Sequence, residues 1–309
     1  LILCVNLNPC VDKTLFVDSL RMGEVQPASR VTVTVGGKAN NVARVLKSFG
    51  REAVAMNVLG SETGQLCERL LREDDGLDTE TVWTKAPTRE IITIYETGVN
   101  RHTDIKEAGP VISGAEREEF IQKYLVRLSA AEFVSFGGSS PCPSVDDLPA
   151  ELVRLAQRAG VPFVLDTYGK ALMLGLAEQP FMVKPNRAEA EALFGNKIAS
   201  DAGARDALEQ LAVMTRLAVL TSGEEGFLAA YEGKRYRVHS PKVTTVDAVG
   251  SGDAVVALVL MGLLDNLPFE KTLARAAAAG AANAASILAC KIKPDDVEPL
   301  VAKARVERL

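Results

Sequence analysis

Asp247-Ala248-Val249-Gly250-Ser251-Gly252-Asp253-Ala254 is the stretch on which the reading of this chain turns. A polar, β-branched run at 243–246 precedes it and an apolar run from 255 to 264 follows. That order predicts strand, small-residue turn, helix. Gly250 and Gly252 allow positive φ and let backbone approach a ligand with no Cβ between them. The first amides of the following helix lack intrahelical partners, and the helix dipole favours an anion there. Asp253 sets a carboxylate inside this anion-attracting turn. An acid so placed is either a helix cap or a base, and the stretch alone does not choose.

Around it the chain alternates. From residue 113 onward, apolar strands (133–136, 163–166, 181–183, 217–220) alternate with helices (116–128, 146–159, 188–194, 201–214). Residues 227–231 and 235–239 read as an antiparallel pair, and the Ala-rich run 271–288 as a long, close-packed helix. Before 113, residues 1–7 and 53–59 read as strands, and 40–50 and 63–72 as helices. Such alternation implies a parallel sheet covered by helices on both faces. Ligands then bind at the carboxyl ends of the strands. Arg30-Val31-Thr32-Val33-Thr34-Val35 behaves differently. Its period-two alternation buries one face and wets the other, unlike the strands of a buried parallel core. A separate small sheet is expected, formed near 12–35 and 82–106, within a single domain spanning 1–309.

Bulk composition narrows the class. The 309 residues are 47% apolar and 24% charged, enough to bury one large α/β core. A net charge of −5 leaves no basic footprint for nucleic acid and no polybasic membrane patch. No apolar run reaches membrane-spanning length, and residues 1–5 are too short for a signal-peptide core. The five cysteines include no C-x-x-C pair, which suggests reduced thiols in a cytoplasmic protein. His102 and His239, the only histidines, stand in unrelated contexts and argue against a histidine metal site or triad.

Four more constellations are chemically suggestive. Gly36-Gly37-Lys38-Ala39-Asn40-Asn41 opens a helix with a cation and two planar amides, which suits a polyhydroxylated ligand. It would serve equally as a hairpin-to-helix turn with a solvated lysine. In Lys184-Pro185-Asn186-Arg187-Ala188-Glu189, Asn186 and Glu189 have capping-box spacing. The same pair could hold a hydrated Mg²⁺, which takes few protein oxygens, with Lys184 reaching a phosphate. Thr221-Ser222-Gly223-Glu224-Glu225-Gly226 follows a strand with hydroxyls and glycines fit for a nucleotide. Asn8, Asp12 and Lys13 lie past the first strand, and Arg89 in the expected small sheet. There is no Walker A loop, and no G-x-G-x-x-G after the first strand, which argues against a nicotinamide dehydrogenase.

Taken in order, these segments resemble the PfkB-type sugar kinases of the ribokinase superfamily, in particular the 1-phosphofructokinase and tagatose-6-phosphate kinase branch. The resemblance is carried by Asn8-Pro9-x-x-Asp12-Lys13, Gly36-Gly37-Lys38-x-x-Asn41-Val42-Ala43-Arg44, Thr88-Arg89 and Glu107-x-Gly109-Pro110. It continues through Gly138-Ser139-x-Pro141, Asp166-Thr167, Lys184-Pro185-Asn186-x-x-Glu189 and Val249-Gly250-Ser251-Gly252-Asp253. It implies a Rossmann-like three-layer α/β/α core with a small β-sheet lid. It implies an ATP-dependent kinase with Asp253 as base and Gly250, Ser251 and Gly252 as anion hole. The sugar side would hold Asp12, Gly37, Lys38, Asn41, Ser139 and the clamp Arg89. The nucleotide side would hold Lys184, Asn186, Ser222, Gly223, Gly226 and Asn283, with Mg²⁺ at Asn186 and Glu189 through water. A homodimer paired through the lid sheet is a further expectation.

The chain departs from the pattern at Gln26 and Pro27, where many members carry Asn-Arg, leaving Arg30 as the nearby cation. Ala39-Asn40, Ser140 and Ala254 are further departures. These departures count against a phosphorylated acceptor, but Lys38 and Arg89 on the sugar side, with Lys13 and Arg30 as helpers in an acidic chain, set the expectation of a sugar phosphate: fructose 1-phosphate, fructose 6-phosphate or tagatose 6-phosphate. A same-family kinase for a free sugar or nucleoside is the alternative. A non-catalytic sensor would need neither Asp253 nor the Asn186/Glu189 pair.

Overall fold

A computed structural model describes residues 1–309. The strands, in chain order, are β1 (Ile2–Asn6), β2 (Cys10–Val17), β3 (Arg30–Gly36), β4 (Ala53–Gly60), β5 (Asp78–Thr84), β6 (Arg89–Glu96) and β7 (Arg101–Lys106). Then follow β8 (Phe133–Gly137), β9 (Phe163–Asp166), β10 (Met182–Val183), β11 (Leu217–Thr221), β12 (Phe227–Tyr231), β13 (Lys234–His239) and β14 (Arg305–Arg308). Ten of them form one sheet in the order β14-β13-β12-β11-β10-β9-β8-β1-β4-β5. From β11 across to β5 all neighbours are parallel. The flank from β11 to β14 is antiparallel.

Alternate residues of the central strands feed two cores. Cys4, Ala55, Val164 and Val219 join one cluster, with the helices Lys38–Ser48, Ser251–Leu264 and Phe269–Ala284 above them. Leu3, Val5, Met56, Leu165 and Leu220 join the other, against Gly114–Leu128, Leu148–Arg158 and Asp201–Met214. Strands covered on both faces read as unbroken apolar runs, and residues 2–6 are all buried. The helix after the opening motif is buried from Asp253 to Gly262, so it is apolar on every side. Its neighbour packs close because Ala276 to Ala279 are small and buried, as the Ala-rich reading anticipated.

Strand order diverges on either side of β1, toward β4 and β5 one way and β8 to β11 the other. A crevice beyond the carboxyl ends of the strands at such a point is where doubly wound sheets hold ligands. The second sheet, β3-β2-β6-β7, lies over it. Residues of one parity, Asp12, Thr14, Thr32, Thr34, Ile91, Thr93, Asp104 and Lys106, face the crevice.

Two expectations change. Residues 82–84 belong to β5, which pairs in parallel with β4 and not with the small sheet. An edge strand covered on one side shows the same alternation as a lid strand, so periodicity could not separate them. The lid is therefore built from 10–17, 30–36, 89–96 and 101–106. Residues 243–246 are not a strand but a loop, tied to the Phe269–Ala284 helix by the Val246 and Asp247 amides donating to Ala284 O. β13 already has β12 and β14 on its two sides, so β-branched character found no open edge.

Candidate active site

Gly250 caps the Ser251–Leu264 helix in the left-handed region, φ 85°. Behind it stand the Cys290 thiol and the Asn283 amide, and an added Cβ would meet Cys290 Sγ at 3.0 Å. Asn283 Nδ2 donates to Val249 O (2.8 Å) and Ser251 Oγ (3.0 Å), and its Oδ1 accepts from the Cys290 amide (2.6 Å). Asn283 is buried and does not line the cavity; all of this bonding holds the turn from beneath.

Asp253 sits in the first turn of that helix, 5% exposed. Its Oδ2 accepts from Asn41 Nδ2 at 2.7 Å. Burial, and next the charge of Asp166, raise its carboxyl to about 6, against the pull of Lys38 and Lys184. A carboxylate near 6 is ionised at neutral pH yet basic enough to accept a proton, the range that suits a general base.

Beside it lies a cluster of alternating charge. Asp166, at the end of β9, receives Lys38 Nζ at 2.7 Å and Lys184 Nζ at 3.0 Å. Lys38 also reaches Glu189 Oε1 at 3.2 Å. Burial alone would raise the Asp166 carboxyl, but Lys184 and Lys38 outweigh it and hold it below the ordinary value. Burial likewise opposes the Lys38 ammonium, yet Asp166 and Glu189 hold its pKa above the ordinary value. Lys184 lies against the glycine turn: a Cβ on Gly252 would meet its Nζ at 2.9 Å. Asn186 and Glu189 form the capping box in full, Glu189 N to Asn186 Oδ1 at 2.9 Å and Asn186 N to Glu189 Oε2 at 2.8 Å. The cap and the site coexist because Glu189 spends one oxygen on each.

On the lid side, Asp12 faces the cavity, and burial, Asp104 and Asp247 raise its carboxyl to about 6. Arg89 Nη2 donates to Asn8 O (3.1 Å), while its Nε is buried without a partner. Asn8 Nδ2 in turn donates to Ser139 Oγ (2.9 Å). Gly37, at φ 128°, passes so close to Asn6 that any Cβ would overlap its amide. On the far side Gly223 and Gly226 line the cavity, whereas Ser222 does not; its amide donates to Gly226 O (2.8 Å) and its hydroxyl meets Arg187 (3.4 Å).

One cavity of about 1260 Å³ joins these groups, lined by Asp12, Gly37, Lys38, Asn41, Arg89, Ser139, Lys184, Asn186, Gly223, Gly226 and Gly250 to Asp253. Arg30 and Lys13 are absent from its wall; Arg30 instead stacks on the Phe16 ring, 3.8 Å from its centre. Cavity-lining Asp104, Lys106, Lys242 and Lys291 carried no sequence signal. Arg44 also lines it, and only its place in the Gly36–Arg44 motif could have drawn attention.

The family model of the pfkB family carbohydrate kinases matches residues 5–295. The chain belongs to the PfkB family of carbohydrate kinases. This PfkB kinase is 33% identical over 288 residues to a tagatose-6-phosphate kinase of Staphylococcus epidermidis, covering 92% of each chain. Its fold is shared with phosphofructokinase-2 from Escherichia coli in complex with potassium, at a TM-score of 0.91 and 24% identity over 97% of this chain and 98% of that one. Ribokinase from Arabidopsis thaliana, complexed with ribose and ATP, superposes at a TM-score of 0.77 and 20% identity over the same shares. The protein is thus an enzyme, a phosphotransferase of a family that uses ATP, on a ribokinase-like fold. No helix of the PfkB kinase is long and apolar enough to cross a membrane.

Proposed function

We propose that this PfkB kinase transfers the γ-phosphoryl group of ATP to a hydroxyl of a sugar that already carries a phosphate. The acceptor class is fructose 1-phosphate, fructose 6-phosphate or tagatose 6-phosphate. The observation that carries the reading is Asp253: a buried carboxylate, raised to about 6, at the start of a helix in an anion-attracting glycine turn. With Oδ2 held by Asn41, its other oxygen is available to the acceptor hydroxyl. As the acceptor's hydroxyl oxygen attacks the γ-phosphorus, the hydroxyl proton passes to the free oxygen of Asp253. The bond from phosphorus to the β–γ bridging oxygen breaks and ADP leaves. Turn amides and the Lys184 ammonium beside Gly252 face the charge on the transferring group, where electrostatics supply most of the catalysis.

Nothing in the chain gathers three carboxylate, histidine or cysteine ligands into a metal cage. A hydrated Mg²⁺ carried by the phosphates fits that donor set. Glu189 would meet its waters, while Asn186 Oδ1 is committed to the cap and Asp166 has a lysine on each oxygen. When bound, the ion would neutralise phosphate charge.

Arg89 supports a phosphorylated acceptor. It lines the lid side of the cavity with an unpaired Nε, and a guanidinium fork suits phosphate. The name of the 33% identical relative agrees. The reading for a free sugar draws on Pro27 and on Arg30, which is spent on Phe16. The same proposal includes a homodimer through the lid. Asp253→Asn should lower kcat by about 10² to 10⁴-fold while ATP binding, followed by titration calorimetry, persists. Near-normal turnover would reduce Asp253 to a helix-start carboxylate.

A further inference from the structure

We infer that Arg44, clamped by Asp75, is a positioning residue that fixes which way the Asn41 amide faces and so which oxygen of Asp253 is free to take the proton. The inference rests on Asp253 being the base. Arg44 is 6% exposed and projects from the same helix as Asn41, three residues on, where side chains are neighbours. Its Nη1 donates to Asn41 Oδ1 at 2.7 Å, and Asn41 Nδ2 donates to Asp253 Oδ2 at 2.7 Å. Its Nη2 donates to Val35 O at 3.0 Å and to Asp75 Oδ2 at 2.7 Å. The Asp75 side chain, 4% exposed, is met on its other oxygen by Lys291 at 3.1 Å. Burial would raise the Asp75 carboxyl, but Arg44 and Lys291 hold it below the ordinary value.

The chemistry of the chain permits one orientation. A flipped Asn41 would set its carbonyl against the Asp253 carboxylate and its amino group against a guanidinium that can only donate. Both contacts would be repulsive in a buried place where unmet polar groups are costly. With Arg44 in position, the amide can only donate to Asp253. Remove Arg44 and the amide is free to turn, which leaves the base poorly aimed. Small misplacements of a catalytic group cost on the order of 10²-fold in rate.

Arg44→Met keeps the aliphatic stem and removes every donor. Because it strands Asp75, the paired variant Arg44→Met/Asp75→Leu, which removes the orphaned carboxylate too, is made beside it, with Asp75→Asn as the mildest change. Circular dichroism identifies the folded variants. In those lacking Arg44, kcat should fall on the order of 10- to 100-fold, with KM for ATP within about twofold, and Asp75→Asn should fall less. The acid limb of the kcat/KM profile should move to higher pH, because the Asn41 hydrogen bond stabilises the ionised Asp253. The other groups that face Asp253 (Asp166, Lys38, Lys184, Cys290) keep their identity in these variants, but Cys290 and Asp12 lose the Arg44 charge, so the limb is read again with Asp12→Asn added. A merely structural role would lower stability and leave the limb in place. In an Asn41→Ala background, Arg44→Met should cost little further kcat. An unmoved limb, or full additivity with Asn41→Ala, overturns the inference. If Asp253→Asn itself retains turnover, the base reading fails first; if it abolishes turnover and the Arg44 variants keep a normal profile, the positioning role alone is wrong.

Discussion

At the scale of single residues, the site places two carboxylates near 6, Asp253 and Asp12, and their roles separate them. A base must be ionised, and a carboxyl raised to about 6 keeps its proton until the pH passes that value. Activity should therefore fall as pH drops through about 6, and kcat/KM reports the groups of the free enzyme. Asp12→Asn should retain that limb and raise KM for the sugar, because the role proposed for its carboxylate is to hold sugar hydroxyls and not to accept the reacting proton. A limb that vanishes with Asp12 would move the titrating group to the lid. Glu189 allows a second separation. Glu189→Gln can still close the capping box but loses its charge beside Lys38. The magnesium requirement should rise while the melting temperature changes little; an unshifted magnesium titration would remove Glu189 from the nucleotide site.

At the scale of elements, the lid has two unlike faces because strand parity is strict. The face opposite the cavity carries Leu15, Val31, Val33, Ile92, Ile94 and Ile105, and register sets Leu15 beside Val31 and Ile94, and Ile92 beside Ile105. Val31 is 47% exposed, Val33 37% and Ile105 59%, a largely apolar sheet face, broken by Lys13 and Thr103, with no cover in a single chain. Such faces mark interaction sites, and a second copy pairing through this lid is the proposed cover. Val33→Asp should turn a dimer into a monomer in sedimentation at micromolar concentration; a monomeric wild type would refute the pairing. The alternation of 30–35 made this sheet legible in advance, since one wet face is a local property. β5 was not legible as a core edge, because a threonine-rich edge strand and a lid strand share one period. The loop at 243–246 was misread for a related reason: propensity is local, but an open sheet edge is not. β14 and the Gly169–Ala177 helix carried no pattern strong enough to announce them.

At the scale of the whole molecule, what was readable was what sits in short contiguous motifs. The glycine turn, the Gly36–Asn41 turn and the segment Lys184–Asn186 converge on one cavity from three separated stretches of chain, with Glu189 tied to its edge through Lys38. Partnerships across the fold were not readable. Lys38 falls between Asp166 and Glu189, more than a hundred residues away, and not beside a sugar clamp alone. Asn283 turns inward to the turn it supports. Arg44 lies on a helix and Asp75 in the bend after another, 31 residues apart, and only tertiary packing brings them together and buries them. The activity proposed for this assembled cavity is phosphorylation of a sugar phosphate. Its most direct test is ADP release by the wild-type enzyme across tagatose 6-phosphate, fructose 6-phosphate and fructose 1-phosphate against the corresponding free sugars and nucleosides, repeated with Arg89→Ala. One of the phosphorylated sugars should give the highest kcat/KM, and Arg89→Ala should raise its KM about ten- to a hundredfold while leaving KM for ATP nearly unchanged. A wild-type enzyme that prefers a free sugar or nucleoside to every sugar phosphate would exclude the phosphorylated acceptor and the Arg89 clamp.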